Sequence, residues 1–201
     1  MYNSRRKDVE ISRRMETTLE SIYRQLGWSV KRVSREMDIR GVDAIITIPG
    51  VGEILADEKV AAKYWDCELR TYCCELTCDT NKLGAGWFAP EQNSFYQTTH
   101  YIFVWVRAEE AELRHITRLE IAVVDKKALQ MMLRQLIHND ALLGNTRALC
   151  DKVLHGRSRA QLAPGVKMIK NQWGPEYSTN VIFDRTILKA MAIYSRVFEM
   201  V

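Results

Sequence analysis

The sequence predicts one mixed α/β domain, and three observations carry that prediction. An amphipathic helical period opens the chain. Nearly all-apolar, β-branched runs joined by tight turns follow it. Further strand-like and helix-like stretches then succeed one another without a linker, a repeat or a low-complexity segment. A chain of 201 residues is long enough to bury a core without staples.

Ile11, Met15, Leu19, Ile22, Tyr23 and Leu26 recur at helical spacing, so a helix is expected over about residues 8–26, and Gly27 stops it. Trp28–Val33 alternates as a strand does, and the polar stretch SREMDIRG connects it to the next element. Val42–Ile48 (VDAIITI) has the composition of a central strand. The turn PGVG leads into EILADEKVAA, which pairs with it as a hairpin. Leu69–Cys78 reads as another strand and Asp79–Phe95 as a Gly- and Asn-rich loop. His100–Val106 and Leu119–Asp125 read as strands, and Lys126–Asn139 as a helix with Leu129, Met132 and Leu136 on its apolar face. A terminal helix is expected near RTILKAMAIYSRVFEM.

Hydrophobic residues make up 47% and charged residues 27%, which excludes a disordered chain. No apolar run approaches the ~18–20 residues that span a bilayer. The basic start MYNSRRKDVEISRR has no apolar signal region, so a cytoplasmic protein is expected. The five cysteines are then reduced thiols. Cys67, Cys73, Cys74 and Cys78 lack zinc-ribbon spacing, and small buried hydrophobes are their expected role. His100, His115, His138 and His155 form no metal-binding pair. Net charge is +4, with basic residues concentrated in two tracts. Arg5, Arg6, Lys7, Arg13 and Arg14 form the first; Arg147, Lys152, Arg157, Arg159, Lys167 and Lys170 form the second. Either is compatible with a nucleic-acid partner or with plain solvated surface.

The hairpin carries the residues that suggest chemistry. Asp43 and Asp57 stand about equally far from the turn at Pro49–Gly52, so they belong side by side across the ladder. Alternation puts Asp57 and Lys59 on one face and turns Glu58 away. Two neighbouring carboxylates repel unless a cation lies between them. Mg²⁺ (or Mn²⁺) suits that place, because it takes few protein carboxylates and bridges to phosphate. A lysine two residues on could orient a water or offset phosphate charge. The competing reading makes Asp57-Glu58-Lys59 the polar face of an edge strand, where lysine discourages aggregation.

Asp43, thirteen intervening residues and then Asp57-Glu58-Lys59 resemble the D…(D/E)-x-K motif of the PD-(D/E)xK nuclease superfamily. Val42 stands where that family often has proline. TYCCELT, GAGWFAP and HYIFVW are similar to a pattern in small phage- and mobile-element-type members, in which a strand glutamate follows. The match covers about residues 8–106. The resemblance implies a restriction-endonuclease-like mixed sheet with an α-β-β-β core flanked by helices. It would be a single nuclease-like domain, with a core over about 8–140 and a basic extension over about 141–201. It implies a Mg²⁺-dependent DNA endonuclease, a hydrolase of phosphodiester bonds. Asp43 and Asp57 would ligate the metal, Lys59 would position the water, and Glu75 would assist as ligand or base. Glu58 would be the alternate ligand if a bulge changed the strand's register. Glu20 falls where some members carry an added metal-site glutamate. The basic tract from Arg147 to Lys170 would hold the DNA backbone. The rival is a non-catalytic DNA-binding or assembly module on the same fold. The oligomeric state stays open, a homodimer included.

Overall fold

The computed structural model describes residues 2–78, 86–89, 97–137, 146–173 and 176–200. The first helix, α1 (Tyr2–Gln25), buries Met15, Leu19, Ile22 and Tyr23, the stripe its 3.6-residue period sets up. It stops where Gly27 takes a φ of 72°, which lets the Trp28 N–H donate back to the Tyr23 carbonyl at 2.9 Å. After it come β1 (Ser29–Arg32), the short α2 (Arg35–Asp38), β2 (Ala44–Ile48) and β3 (Gly52–Val60). Between β2 and β3, Pro49 precedes Gly50 at φ 81°, and the Val51 N–H donates to Ile48 O at 3.0 Å. Proline followed by a positive-φ glycine is the combination a type II turn requires.

The chain continues through β4 (Thr71–Cys78), β5 (His100–Ala108), β6 (Ile116–Asp125), α3 (Lys126–Leu136) and α4 (Thr146–Leu154). It ends with β7 (Arg159–Ala163), β8 (Val166–Trp173), β9 (Glu176–Asp184), α5 (Arg185–Met191) and β10 (Ala192–Glu199). The strands form two sheets. A mixed six-stranded sheet runs β1-β2-β3-β5-β6-β10, with β3 and β5 parallel and the other neighbours antiparallel. An antiparallel four-stranded sheet runs β4-β9-β8-β7. The domain is therefore mixed α/β, as the sequence predicts.

The middle of the larger sheet is buried on both faces. Ile46, Ile54, Ala56, Ile102, Val104, Ile121 and Val123 face α1. Tyr101, Phe103, Trp105, Ala122 and Val124 pack against Cys74, Leu76, Met168, Val181 and Phe183 of the smaller sheet and against Leu129, Leu154 and Leu188 of the helices. Burial on both faces is why β5 and β6 read as unbroken apolar runs. The one buried acid of β6, Glu120, is ion-paired with two cations. Arg185 donates to it, and Lys189 Nζ stands 2.9 Å from its Oε1. Burial opposes its ionisation, but these two cations outweigh that and hold its carboxyl below the usual range. No described helix is long and apolar enough to cross a membrane.

The strand expected at Leu69–Cys78 forms over Thr71–Cys78 and joins the second sheet, while β5 joins β3. Three expectations need correction. The terminal helix ends at Met191, and Ala192–Glu199 becomes a strand. Tyr194, Val197 and Phe198 suit a strand and pair with β6, whose edge would otherwise be open. The polar connection after β1 contains α2. Cys74 and Cys150 are buried as expected, yet Cys67 and Cys73 are exposed. Consecutive strand residues face opposite ways, so Cys73 and Cys74 cannot both enter one core. Most of the loop at 79–95, with Tyr96, His138 and the side chains of Arg5, Arg6, Lys7, Cys78 and Arg147, lies outside the described residues.

Candidate active site

Asp43 immediately precedes β2, and its position answers why an acid sits there. Its N–H donates to Ala56 O at 2.8 Å, continuing the hairpin ladder. Its side chain then accepts the Glu58 N–H on Oδ2 at 2.7 Å. The carboxylate thus stands where the backbone acceptor of a longer β2 would stand, at the end of the strand. Its neighbour across the hairpin is Asp57, one step beyond the Ala44–Ala56 pair. The carboxyl groups of Asp43 and Asp57 lie within hydrogen-bonding reach of each other.

Asp57 is only 3% exposed. It lies on a strand paired on both sides, to β2 and to β5, so the triplet is not the polar face of an edge strand. Lys59 shares its face and places Nζ 2.8 Å from Asp57 Oδ2. The same ammonium lies 4.4 Å from the centre of the Trp87 ring. Trp87 meets Tyr101 edge to face at 5.1 Å, and Phe88 beside it is wholly buried. The aromatic pair Trp87-Phe88 therefore anchors its segment on the core. Gly86 makes the close approach possible: a Cβ there would lie 2.4 Å from Glu75 O. The Gly86 and Phe88 N–H groups donate to Leu76 O and Glu75 O at 2.8 and 2.9 Å, attaching this segment to β4.

Glu75 is half-buried on the outer face of the second sheet, where Lys59 still influences it. Burial raises its carboxyl and Lys59 opposes that rise. It lines a groove of about 1050 Å³ with Cys73, Asn171, Tyr177, Asn180 and Lys63. Glu75 also begins a row across the sheet. It opposes Asn180, Asn180 opposes Ile169, and Ile169 opposes Arg159. Lys167 occupies the same face, opposite Ile182 and Gln161. Lys152, Arg157, Arg159, Lys167 and Lys170 are all exposed. Lys170 belongs to the opposite face from Lys167, with its ammonium 5.6 Å from the Tyr177 ring centre.

Glu58 goes the other way. The pairing of β3 contains no bulge, so its side chain turns to the α1 face. There it accepts the Tyr23 hydroxyl at 2.8 Å and Arg32 Nη1 at 2.5 Å. Arg32 Nε also donates to Glu20 at 2.9 Å. Glu20 and Glu58 thus meet at Arg32, across the sheet from Asp57 and Lys59. The structure brings Asp43, Asp57 and Lys59 together, sets Glu75 at their margin, and gives Glu20 and Glu58 a shared arginine.

The electrostatics follow from burial. Burial raises Asp57 from 3.8 to about 6, with Lys59 opposing the rise and Asp43 adding to it. Asp43 is raised by burial too, against the Glu58 N–H and Lys59. A carboxyl harder to ionise in the folded chain than in the unfolded one keeps its proton longer when folded. Stability then falls as pH rises between the two values. For Asp57 the window runs from 3.8 to about 6, and the loss is about 3 kcal/mol at most. We expect the stability difference between the wild type and Asp57→Asn to change across that window, read by urea denaturation from pH 4 to 7. Mn²⁺ should restore wild-type stability at the upper end, because metal binds the deprotonated carboxylates. A difference that does not vary with pH would mean Asp57 is not the strained group.

Among the described residues, no three His, Cys, Asp or Glu side chains gather as a ready-made metal cage. Mg²⁺ needs none, since it keeps several waters and uses one or two carboxylates. A buried carboxyl, Asp57, beside a half-buried one, Asp43, each raised by burial, is a donor pair that a divalent cation suits. One charged neighbour, Lys126, had no sequence signal beyond its place at a helix start. It is buried, and Asp57 lies within its electrostatic influence. Compared with known protein families, curated proteins and solved structures, the chain finds no match in any of the three.

Proposed function

We propose that the protein is a metal-dependent nuclease that hydrolyses phosphodiester bonds in DNA. The observation that carries this reading is the meeting of Asp43, Asp57 and Lys59 at the end of the β2–β3 hairpin. The strand order supports it as well. An antiparallel β1-β2-β3 unit under α1, with β5 added parallel to β3, is compatible with a restriction-endonuclease-like core.

In this reading Asp43 and Asp57 would hold Mg²⁺ or Mn²⁺. The ion, when bound, supplies an activated water and neutralises phosphate charge. Lys59 holds its ammonium at Asp57 and orients the water that attacks phosphorus. Glu75 stands at the margin as a proton acceptor. The Trp87 ring fixes the lysine stem from one side. The test is cleavage of a labelled duplex and a labelled single strand with Mg²⁺, with Mn²⁺ and with EDTA. Cleavage that EDTA abolishes supports the reading. No cleavage of either strand form, with DNA still bound, would favour a non-catalytic DNA-binding or assembly module.

The exposed face of the second sheet is the track proposed for the DNA backbone, since Glu75, Arg159 and Lys167 share it. Each phosphate contact contributes roughly −0.9 to the slope of log affinity against log salt. Replacing Arg157 and Arg159 together by alanine should therefore flatten the slope by up to about 2, with no change in the metal requirement. An unchanged slope, measured by fluorescence anisotropy across a salt series, would return these two arginines to ordinary surface.

A further inference from the structure

The hairpin motif does not account for the groove that holds Glu75. Its floor is the outer face of the second sheet, where Glu75, Asn180 and Ile169 form one row and Asn171 lies beyond. Its wall is the chain that leaves β3, with a 3₁₀ turn over Ala62–Tyr64. Lys63, Tyr64 and Trp65 line it there, and Tyr177 lines it near the start of β9. Tyr64 is 50% exposed and Tyr177 40%. A tyrosine alone on a surface is ordinary. Here Tyr64 and Tyr177 put aromatic surface into the same groove, with the Asn171 amide beside them. The groove also leads to the hairpin. A cleft of about 610 Å³, lined by Asp43 and Arg35, shares Ile11, Val60 and Ala62 with it.

These surfaces suit one form of nucleic acid. In a duplex, stacked neighbours cover the faces of each base and leave only its edges. An unpaired base offers its face to an aromatic side chain and its edge to an amide. Cations for the backbone stand along the same path. Lys63 lines the groove and Arg35 lines the adjoining cleft, and both are exposed. Lys167 opposes Ile182 of the floor, and Arg159 opposes Ile169. Exposed Lys170 stands 5.6 Å from the centre of the Tyr177 ring, placed for the phosphate beside a stacked base. A small ligand would fill one cleft. Two clefts in series, with cations spaced along them, fit an extended polyanion that carries flat, hydrogen-bonding groups. We propose that the groove seats an unpaired DNA strand, its bases against Tyr64 and Tyr177 and its backbone leading past Glu75 to Asp43. The proposal rests on the nuclease reading and names its substrate form, single-stranded DNA.

The experiment compares the wild type with Tyr64→Ala, Tyr64→Phe and Tyr177→Ala. Binding of a labelled oligo(dT) and of a labelled duplex is read by fluorescence anisotropy in EDTA, which separates binding from cleavage. The wild type should bind oligo(dT) at least about ten-fold more tightly than the duplex. Each alanine variant should weaken oligo(dT) binding by about 5- to 100-fold, the share of one stacked base. Duplex binding should stay within about two-fold, and the salt slope should not change, because neither substitution removes a cation. Tyr64→Phe keeps the ring and should keep the affinity. Should Tyr64→Ala fail to fold, Tyr177→Ala, on a different element, carries the same comparison. Equal binding of the two DNA forms by the wild type overturns the proposal. So do alanine variants that bind oligo(dT) as the wild type does, or that weaken both forms alike. No binding of oligo(dT) by the wild type overturns it too. Tyrosine-dependent oligo(dT) binding with no cleavage in Mg²⁺ or Mn²⁺ supports the groove's occupant and overturns the nuclease reading alone.

Discussion

Asp43→Asn should lower metal-supported DNA cleavage by about three to four orders of magnitude while the fold stands. Asparagine keeps a carbonyl oxygen that can accept the Glu58 N–H, which Asp43 holds at 2.7 Å. The end of the ladder is therefore preserved. What is lost is one of the two charges that would hold the metal. Removing it also relieves the repulsion felt by Asp57, so the melting temperature should hold or rise slightly without metal. Alanine is the less informative substitution. It would leave the Glu58 amide without its acceptor, at a cost of about 1–3 kcal/mol if water cannot reach it. The measurements are cleavage of a labelled duplex in Mg²⁺ and thermal denaturation with and without Mn²⁺. A fully active, metal-dependent Asp43→Asn protein would remove this hairpin from the chemistry.

Lys59→Met should separate metal binding from hydrolysis. The ammonium stands 2.8 Å from Asp57 and over the Trp87 ring. Methionine keeps an unbranched stem against that ring and loses the charge. Asp57 is then left buried beside Asp43 with its nearest cation gone, so the metal-free protein should lose stability at neutral pH. A divalent cation supplies what is missing, so Mn²⁺ should bind at least as tightly as to wild type and raise the melting temperature more. Cleavage should fall by about two to four orders of magnitude, the scale for losing a positioned electrostatic group. Loss of cleavage with Mn²⁺ binding retained supports the assigned role. Loss of both assigns Lys59 to structure, and full activity sends the chemistry elsewhere.

The hairpin was legible because local rules dictate it. A β-branched run, a proline-glycine turn and a second run determine the register, and register alone places Asp43 opposite Asp57 and puts Lys59 on the face of Asp57. The same alternation turns Glu58 to α1, where Tyr23 and Arg32 receive it. The amphipathic stripe of α1 and the unbroken apolar runs of β5 and β6 were legible for the same reason: each depends on residues close in sequence.

Long-range pairing decided the rest. Thr71–Cys78 has strand character, but no local rule says which sheet takes it, and it pairs with β9, about a hundred residues later. The sequence RTILKAMAIYSRVFEM satisfies a helical period well enough to read as one helix. The open edge of β6 claims its second half as β10. Lys126 reads as the first residue of a helix, and only the packing of α3 against the sheet buries its ammonium near Asp57. Sequence by itself determined α1, the β2–β3 hairpin with its register, β5, β6 and α3, and so the meeting of Asp43, Asp57 and Lys59, because hydrogen-bonded neighbours and side-chain alternation are local. Only the tertiary structure decided the second sheet, the marginal place of Glu75, the shared face of Arg159 and Lys167, and the burial of Lys126. Those depend on which distant strands bury each other's apolar faces, and periodicity within one segment carries no record of that choice.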